Sequence, residues 1–107
     1  MIWTVTYSAQ ARQDLQDIFE YIAYDLNEPK IAKNQTRRIM DGVHSLETLP
    51  MRHRLYDDEP WHSYGLRFFP IDNYLVFYLT HESRKTVGVV RIMYGGRDVK
   101  TELTKKE

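Results

Sequence analysis

The 107 residues comprise 42% hydrophobic, 13% aromatic and 28% charged side chains, with 15 Lys+Arg against 15 Asp+Glu, the profile of one compact domain with a single core. Cys is absent, which excludes disulfide scaffolds, thiolate metal sites and cysteine nucleophiles. No run nears the ~18 consecutive apolar residues of a membrane span, and the N-terminus lacks the basic-then-apolar order of a secretory signal, so a cytoplasmic location without membrane contact is expected.

Residues 2–7 alternate β-branched and aromatic side chains with Thr4 and Thr6, the period of a strand. Ser8 then offers a hydroxyl to cap a helix. Ala11, Leu15, Ile18, Ile22 and Leu26 recur at three- and four-residue spacing with Phe19 beside them, while Gln13, Asp14, Gln16, Asp17 and Glu20 fill the opposite face. This spacing predicts an amphipathic helix of about four to five turns. Asn27 and Glu28 interrupt it, and Pro29 suits the first turn of a second helix. The second stripe is Ala32, Ile39, Val43, Leu46 and Leu49, and Pro50 stops it. The short connection predicts an antiparallel helical hairpin.

Residues 51–63 show no period, and Asp57, Asp58, Glu59 and Pro60 mark an exposed loop. Residues 64–69, 74–81 and 86–94 are rich in aromatic and β-branched side chains and are separated by short polar turns, which predicts an antiparallel meander. The expected fold class is α+β in the order β-α-α-β-β-β, a small antiparallel sheet with the helical hairpin on one face. Residues 1–98 form the single domain and residues 99–107 a polar C-terminal tail.

Two consecutive helices cover only one side of a small sheet. Alternation turns Tyr74, Val76 and Tyr78 one way and Leu75, Phe77 and Leu79 the other, and sets Val90 and Ile92 against Val87, Val89 and Met93. Both faces are therefore apolar, and one needs a cover: a partner protein, or the tail, the 51–63 loop or a second copy. Leu75, Phe77, Val89 and Met93 are the candidates for a partner-facing surface. Arg91, alternating with Val89 and Met93, falls on an apolar face and calls for an acidic or aromatic neighbour. A contact with the partner and an internal ion pair both satisfy it.

Charge is uneven along the chain. Residues 1–28 hold one base, Arg12, against five acids and are net −4, so the remainder is net +4. A polarised surface follows, with ordinary solvated faces as the plainer reading.

The element order and four local sequences resemble the RelE/ParE superfamily of bacterial toxin-antitoxin toxins. They are Tyr7-Ser8 leading into Ala11-Arg12-Gln13-Asp14-Leu15; Asp17-Ile18-Phe19-Glu20-Tyr21-Ile22; Asn73-Tyr74-Leu75-Val76-Phe77-Tyr78; and Val90-Arg91-Ile92-Met93-Tyr94-Gly95-Gly96-Arg97-Asp98. The resemblance spans residues 7–98 and implies a RelE/ParE-like fold. It also implies a growth-inhibiting toxin of the type II, plasmid-stabilising kind, without a cofactor and neutralised by a cognate antitoxin lying across it. The antitoxin would supply the missing cover through Leu75, Phe77, Val89, Arg91 and Met93, and its acidic residues would meet Arg91 or Arg97.

The superfamily divides by target. RelE-like members cut messenger RNA in the ribosome, and ParE-like members poison DNA gyrase. Cleavage of RNA by its 2′-hydroxyl needs a group to assist deprotonation, a group to protonate the leaving oxygen, and positive charge for the transition state. By resemblance Arg67 matches a basic position of the RelE-type site and Arg97 its strand-end arginine. Gly65 stands where a second base belongs, Leu75 stands where an arginine belongs, and no tyrosine follows Arg97. Tyr94 is a substitute by position. His44, His53, His62 and His81 show no spacing that pairs them with an orienting carboxylate, and no metal site is indicated. Residues 91–98 resemble the ParE-type strand end closely, and a zero net charge suits a gyrase surface better than densely charged RNA. The reading is a ParE-like gyrase poison, with Arg67, Tyr94 and Arg97 as toxicity residues. The alternatives are a ribosome-dependent messenger RNA endonuclease and a degenerate toxin or non-catalytic binding module.

Overall fold

The computed structural model describes residues 2–96 and 98–104. Its centre is a sheet ordered β1-β4-β3-β2, built from β1 (Thr4–Tyr7), β2 (Arg67–Ile71), β3 (Tyr74–His81) and β4 (Thr86–Tyr94). The meander β2-β3-β4 is antiparallel as expected, but β1 joins β4 in parallel, from Thr4 opposite Thr86 to Tyr7 opposite Val89. The sheet is therefore mixed rather than wholly antiparallel. A parallel neighbour requires a long crossover, and the helices and the first meander strands between β1 and β4 provide it.

Strand β2 begins three residues later than the expected 64–69. Tyr64 closes a short helix, α3 (Trp61–Tyr64), and Gly65 turns the chain at φ 83°. Pro70 lies within β2, which is tolerated because β2 is an edge strand whose outer side carries only an isolated bridge, Leu55 to Arg67, at its far end. The turn before β3 contracts to Asp72 and Asn73, with Asp72 at φ 53°.

Helix α1 (Ala9–Glu20) starts at Ser8, whose Oγ accepts from the Ala11 N–H at 2.9 Å. It continues into a π-helical turn, Tyr21–Asp25, and Asn27 at φ 58° reverses the chain. Helix α2 (Pro29–His44) carries Pro29 in its first turn and buries Ala32, Ile39 and Val43. Leu49 departs from the expected stripe: the α-helix ends at His44, Leu49 adopts φ 46°, and its side chain is 76% exposed. Gly42 lets α2 approach β2, since a Cβ there would overlap Ile71.

The hairpin covers one sheet face over a core of Trp3, Ile39, Val43, Leu46, Phe69, Val76, Tyr78, Val87, Val89 and Ile92. The fully buried Tyr78 donates its hydroxyl to the Pro50 carbonyl, and burial pushes its pKa up to about 12. A β-bulge alters the expected faces of β4. Phe77 pairs with Arg91 but Tyr78 pairs with Val89, so Val90 is the extra residue. Val87, Val89 and Ile92 consequently share the helix side, whereas Val90 and Met93 pack on the other side with Leu75 and Phe77.

That second face is covered from within the chain. Leu66, Phe77, Met93 and Leu103 are buried together, with Tyr56, Trp61, Phe68 and Val99 around them. Residues 99–104, expected as tail, form helix α4 (Val99–Thr104), and the Asp98 carboxylate caps it by accepting from the Thr101 hydroxyl at 2.7 Å and N–H at 3.3 Å. These hydrogen bonds, the hydroxyl's first, hold the Asp98 pKa below the usual carboxylate value. The packed unit therefore extends past residue 98. Leu103→Ala is expected to cost about 2 kcal/mol, at the low end for a buried leucine because α4 is short. Urea denaturation checks this, and an unchanged midpoint would mean that α4 rests on the sheet without holding it. Among the described residues no helix is long and apolar enough to cross a membrane.

Candidate functional site

Strand β1 stops opposite Val89, and β4 runs on without a strand on that side. Helix α1 takes the vacant place. The Ser8 N–H donates to the Val89 carbonyl and the Ser8 hydroxyl to the Val90 carbonyl, each at 2.9 Å. Six residues on, the Asp14 carboxylate accepts the Ile92 N–H at 2.9 Å. The same carboxylate takes Arg91 Nε at 2.8 Å and Nη2 at 3.1 Å, and Gln10 Nε2 at 3.0 Å. Arg91 Nη1 also donates to the Glu102 carbonyl at 3.2 Å, and the Glu102 carboxylate lies 3.9 Å from Nη2. With side chains only 11% and 8% exposed, Arg91 and Asp14 form an internal ion pair that ties α1, β4 and α4 together. Of the two roles open to Arg91 in the sequence, this structure fills the internal one.

Beyond this pair a groove of about 590 Å³ opens between the end of α1 and the ends of β3 and β4. Its apolar wall comes from Ile18, Ile22, Leu26, Ile31, Ile92 and Met93, its rim from Tyr21, Tyr74 and Tyr94, and Asp14 and Asp17 contribute carboxylates. The rings of Tyr74 and Tyr94 meet edge to face at 5.8 Å. The π-helical turn keeps Ile22 and Ala23 buried while Tyr21, Tyr24 and Leu26 are exposed, an irregularity frequent at functional sites. A second, shallower depression of about 680 Å³ lies on the other side of the hairpin, among Tyr7, Arg12, Leu15, Phe19, Tyr24 and Met40.

A family model described as "ParE toxin of type II toxin-antitoxin system, parDE" matches residues 5–99. The chain belongs to the ParE toxin family. Its fold is similar to the chromosomal ParDE TA system from P. aeruginosa, with TM-score 0.71 and 18% identity over 87% of this chain and 96% of that one. It is also similar to the toxin-antitoxin complex RelBE2 from Mycobacterium tuberculosis, with TM-score 0.64 and 19% identity over 88% and 99% of the two chains. The archaeal RelE-RelB complex from Pyrococcus horikoshii OT3 gives TM-score 0.63 and 19% identity over 91% and 99%. At these identities the likeness is one of fold. Comparison with curated proteins finds no significant match.

Within this ParE-family chain the two described toxicity candidates, Arg67 and Tyr94, do not lie together. Arg67 opens β2, pairs with Tyr78, and donates Nη1 to the His53 carbonyl at 2.7 Å. Tyr94 ends β4 opposite Tyr74 and is half exposed on the groove rim. Four residues along the strands and two strand spacings separate them, about 16 Å. Arg97 lies outside the described residues. The chain approaching it is held by the Gly95 N–H donating to the Asn73 carbonyl at 2.8 Å, and a Cβ on Gly96 would press on the Tyr94 ring.

The expected partner-facing set divides as well. Phe77, Val89 and Met93 are fully buried, with Val89 beneath the helices because of the bulge, and Arg91 is engaged inside the domain. Of the apolar members, Leu75 alone keeps partial exposure. The groove residues Tyr21, Leu26, Ile31 and Tyr74 were not separable from core by periodicity. The signal for Tyr21, Leu26 and Ile31 is an excess: residues 18–31 hold more large apolar side chains than one helical stripe can bury.

Two histidines do find carboxylates at i,i+3, contrary to the sequence reading: His44 Nε2 meets Glu47 at 2.7 Å and His62 Nδ1 lies 3.8 Å from Glu59, both as exposed surface pairs. His53 differs. Its ring stacks on Phe69 at 4.2 Å, and Nε2 is buried with no hydrogen-bond partner among the described residues. Burial first, then the neighbouring Arg52 charge, lowers its pKa. The fold therefore favours neutral His53, and its contribution is complete above the ordinary histidine value of about 6.5 and declines as pH falls through the lowered one. His53→Gln is expected to flatten stability between about pH 7 and about pH 5. Equal slopes for both proteins in urea titrations at the two pH values would remove His53 as the source. Among the described residues no group of three His, Asp or Glu side chains could hold a metal ion.

Proposed function

We propose that this ParE-family toxin inhibits growth by binding DNA gyrase, and that a cognate antitoxin neutralises it. The observation that carries this reading is that Arg67 and Tyr94 stand two strands and four residues apart on the sheet, about 16 Å by ordinary strand spacings. Cleavage of RNA by its own 2′-hydroxyl needs a proton acceptor, a proton donor and positive charge within reach of one phosphate. Arg67 is also committed to the His53 carbonyl, and the histidines are dispersed. Recognition of a protein surface needs no such convergence. The ParE-type family match over residues 5–99 and the zero net charge support the same choice. An antitoxin is supported by the similar structures, which include a ParDE TA system, the toxin-antitoxin complex RelBE2 and a RelE-RelB complex, and by the exposed apolar groove.

The test is purified protein added to gyrase with relaxed plasmid, and separately to ribosomes programmed with messenger RNA. Inhibited supercoiling or trapped double-strand breaks, with intact message, is the expected pair of results. Ribosome-dependent cleavage with unaffected gyrase would replace this reading by the endonuclease one. Normal growth after induction of well-expressed protein would make the chain a degenerate toxin.

A further inference from the structure

The shallow depression across the hairpin from the groove carries charges of both signs, Arg12 and Glu20, among its described lining residues, whereas the groove carries only Asp14 and Asp17. Arg12, Gln16 and Glu20 stand four residues apart along α1, on one of the ridges by which packed helices interlock. Eight residues of helix set the two charged positions about 12 Å apart, and they do not pair with each other. Glu20 accepts a neutral amide, from Gln16 at 2.9 Å. Arg12 is exposed and has no side-chain hydrogen bond or ion pair among the described residues. Beside this ridge Leu15 and Phe19 are only partly covered, Met40 is 43% exposed and Tyr24 is 71% exposed. Apolar surface therefore flanks a row that reads base, amide, acid, a grouping larger than single scattered surface apolar residues.

Such a row is complementary to itself. Rotation about a two-fold axis beside Gln16 lays α1 antiparallel on the α1 of a second copy and sets Arg12 of each chain opposite Glu20 of the other. We infer that this face joins two copies of the chain into a dimer. Leu15, Phe19 and Met40 of both copies meet around the axis, and two Arg12–Glu20 pairs flank them and fix the register. The groove is not suited to this contact, because two copies meeting there would set carboxylate against carboxylate. The depression shares no lining residue with the groove, so pairing leaves Tyr94 and the groove free. One helix with part of a second makes a small interface, and the dimer belongs to the weak, transient class.

The test is sedimentation equilibrium of the purified chain at rising concentration, which is expected to show monomer passing to dimer with half the chains paired at roughly 50 µM, as for a small transient interface. Each dimer holds the charge pair twice, so Arg12→Glu or Glu20→Arg alone is expected to weaken pairing about tenfold. The double variant Arg12→Glu with Glu20→Arg is expected to restore it, because its row reads acid, amide, base and is again complementary to itself. Met40→Glu is expected to weaken pairing and is not rescued by either reversal. All these positions are exposed, and circular dichroism is expected to show the fold unchanged. A monomer at every concentration, a dimer indifferent to both single reversals, or a double variant as weak as either single one would each overturn the proposal. The measurement uses neither gyrase nor antitoxin, so its outcome is separate from that of the function proposed above.

Discussion

Asp14→Ala is expected to destabilise the protein by about 3–5 kcal/mol, the range for breaking a buried charge pair by removing one partner. The carboxylate accepts two bonds from Arg91, one from the Ile92 N–H and one from Gln10. Alanine removes all four and leaves a buried backbone donor unsatisfied. Arg91 retains Glu102, which holds the cost near the lower end. Against a total stability of about 5–15 kcal/mol this is a large fraction. Asp14→Asn keeps an acceptor for Ile92 while removing the charge, and is expected to fall between wild type and Asp14→Ala. Urea denaturation of the three proteins measures the order, and a loss below about 1 kcal/mol for Asp14→Ala would show that the network follows the fold rather than holding it.

Arg97→Ala is expected to abolish growth inhibition with little change in thermal stability, and Arg97→Lys to retain only part of it. Both mechanisms compatible with the sequence place an arginine just after the last strand. The ladder ends firmly there, with the Gly95 N–H tied to the Asn73 carbonyl at 2.8 Å. A guanidinium offers a flat two-pronged donor to a carboxylate or phosphate, which a lysine ammonium does not reproduce. Induction in cells without antitoxin, with immunoblots to equalise expression, gives the comparison. Full toxicity of Arg97→Ala would remove the residue from the site and leave Arg67 and Tyr94 as candidates.

Strands β3 and β4 coincide with residues 74–81 and 86–94 because both are long, aromatic or β-branched, and bounded by polar turns. Strand β2 was less legible, since Pro70 has the chemistry of a turn and only an edge position allows it inside a ladder. The bulge at Val90 has no signature in composition, yet it inverts every face assignment after it. Strict alternation therefore groups Val89 with Met93, and the structure separates them. A partner for Arg91 was legible as a need and not as an identity, because Asp14 is 77 residues away in sequence. Helix α4 offered only Val99 and Leu103, four residues apart within an otherwise polar stretch. The groove was hidden for a different reason: periodicity marks apolar positions but does not say which of them outnumber the space beneath.

The Asp14 carboxylate also bears on how the protein avoids polymerising with itself. Bare strand edges are templates on which another chain can add. One such stretch here would be β4 past Val89, the last five residues of the strand that ends at Tyr94. Ser8 occupies the Val90 carbonyl and Asp14 the Ile92 N–H, so a foreign strand finds those groups taken. The two remaining edges of the sheet are the four residues of β1 and the five of β2, the latter interrupted by Pro70. A single helical side chain thus does for an exposed β edge what a fifth strand would otherwise have to do, and it leaves room beside it for the groove.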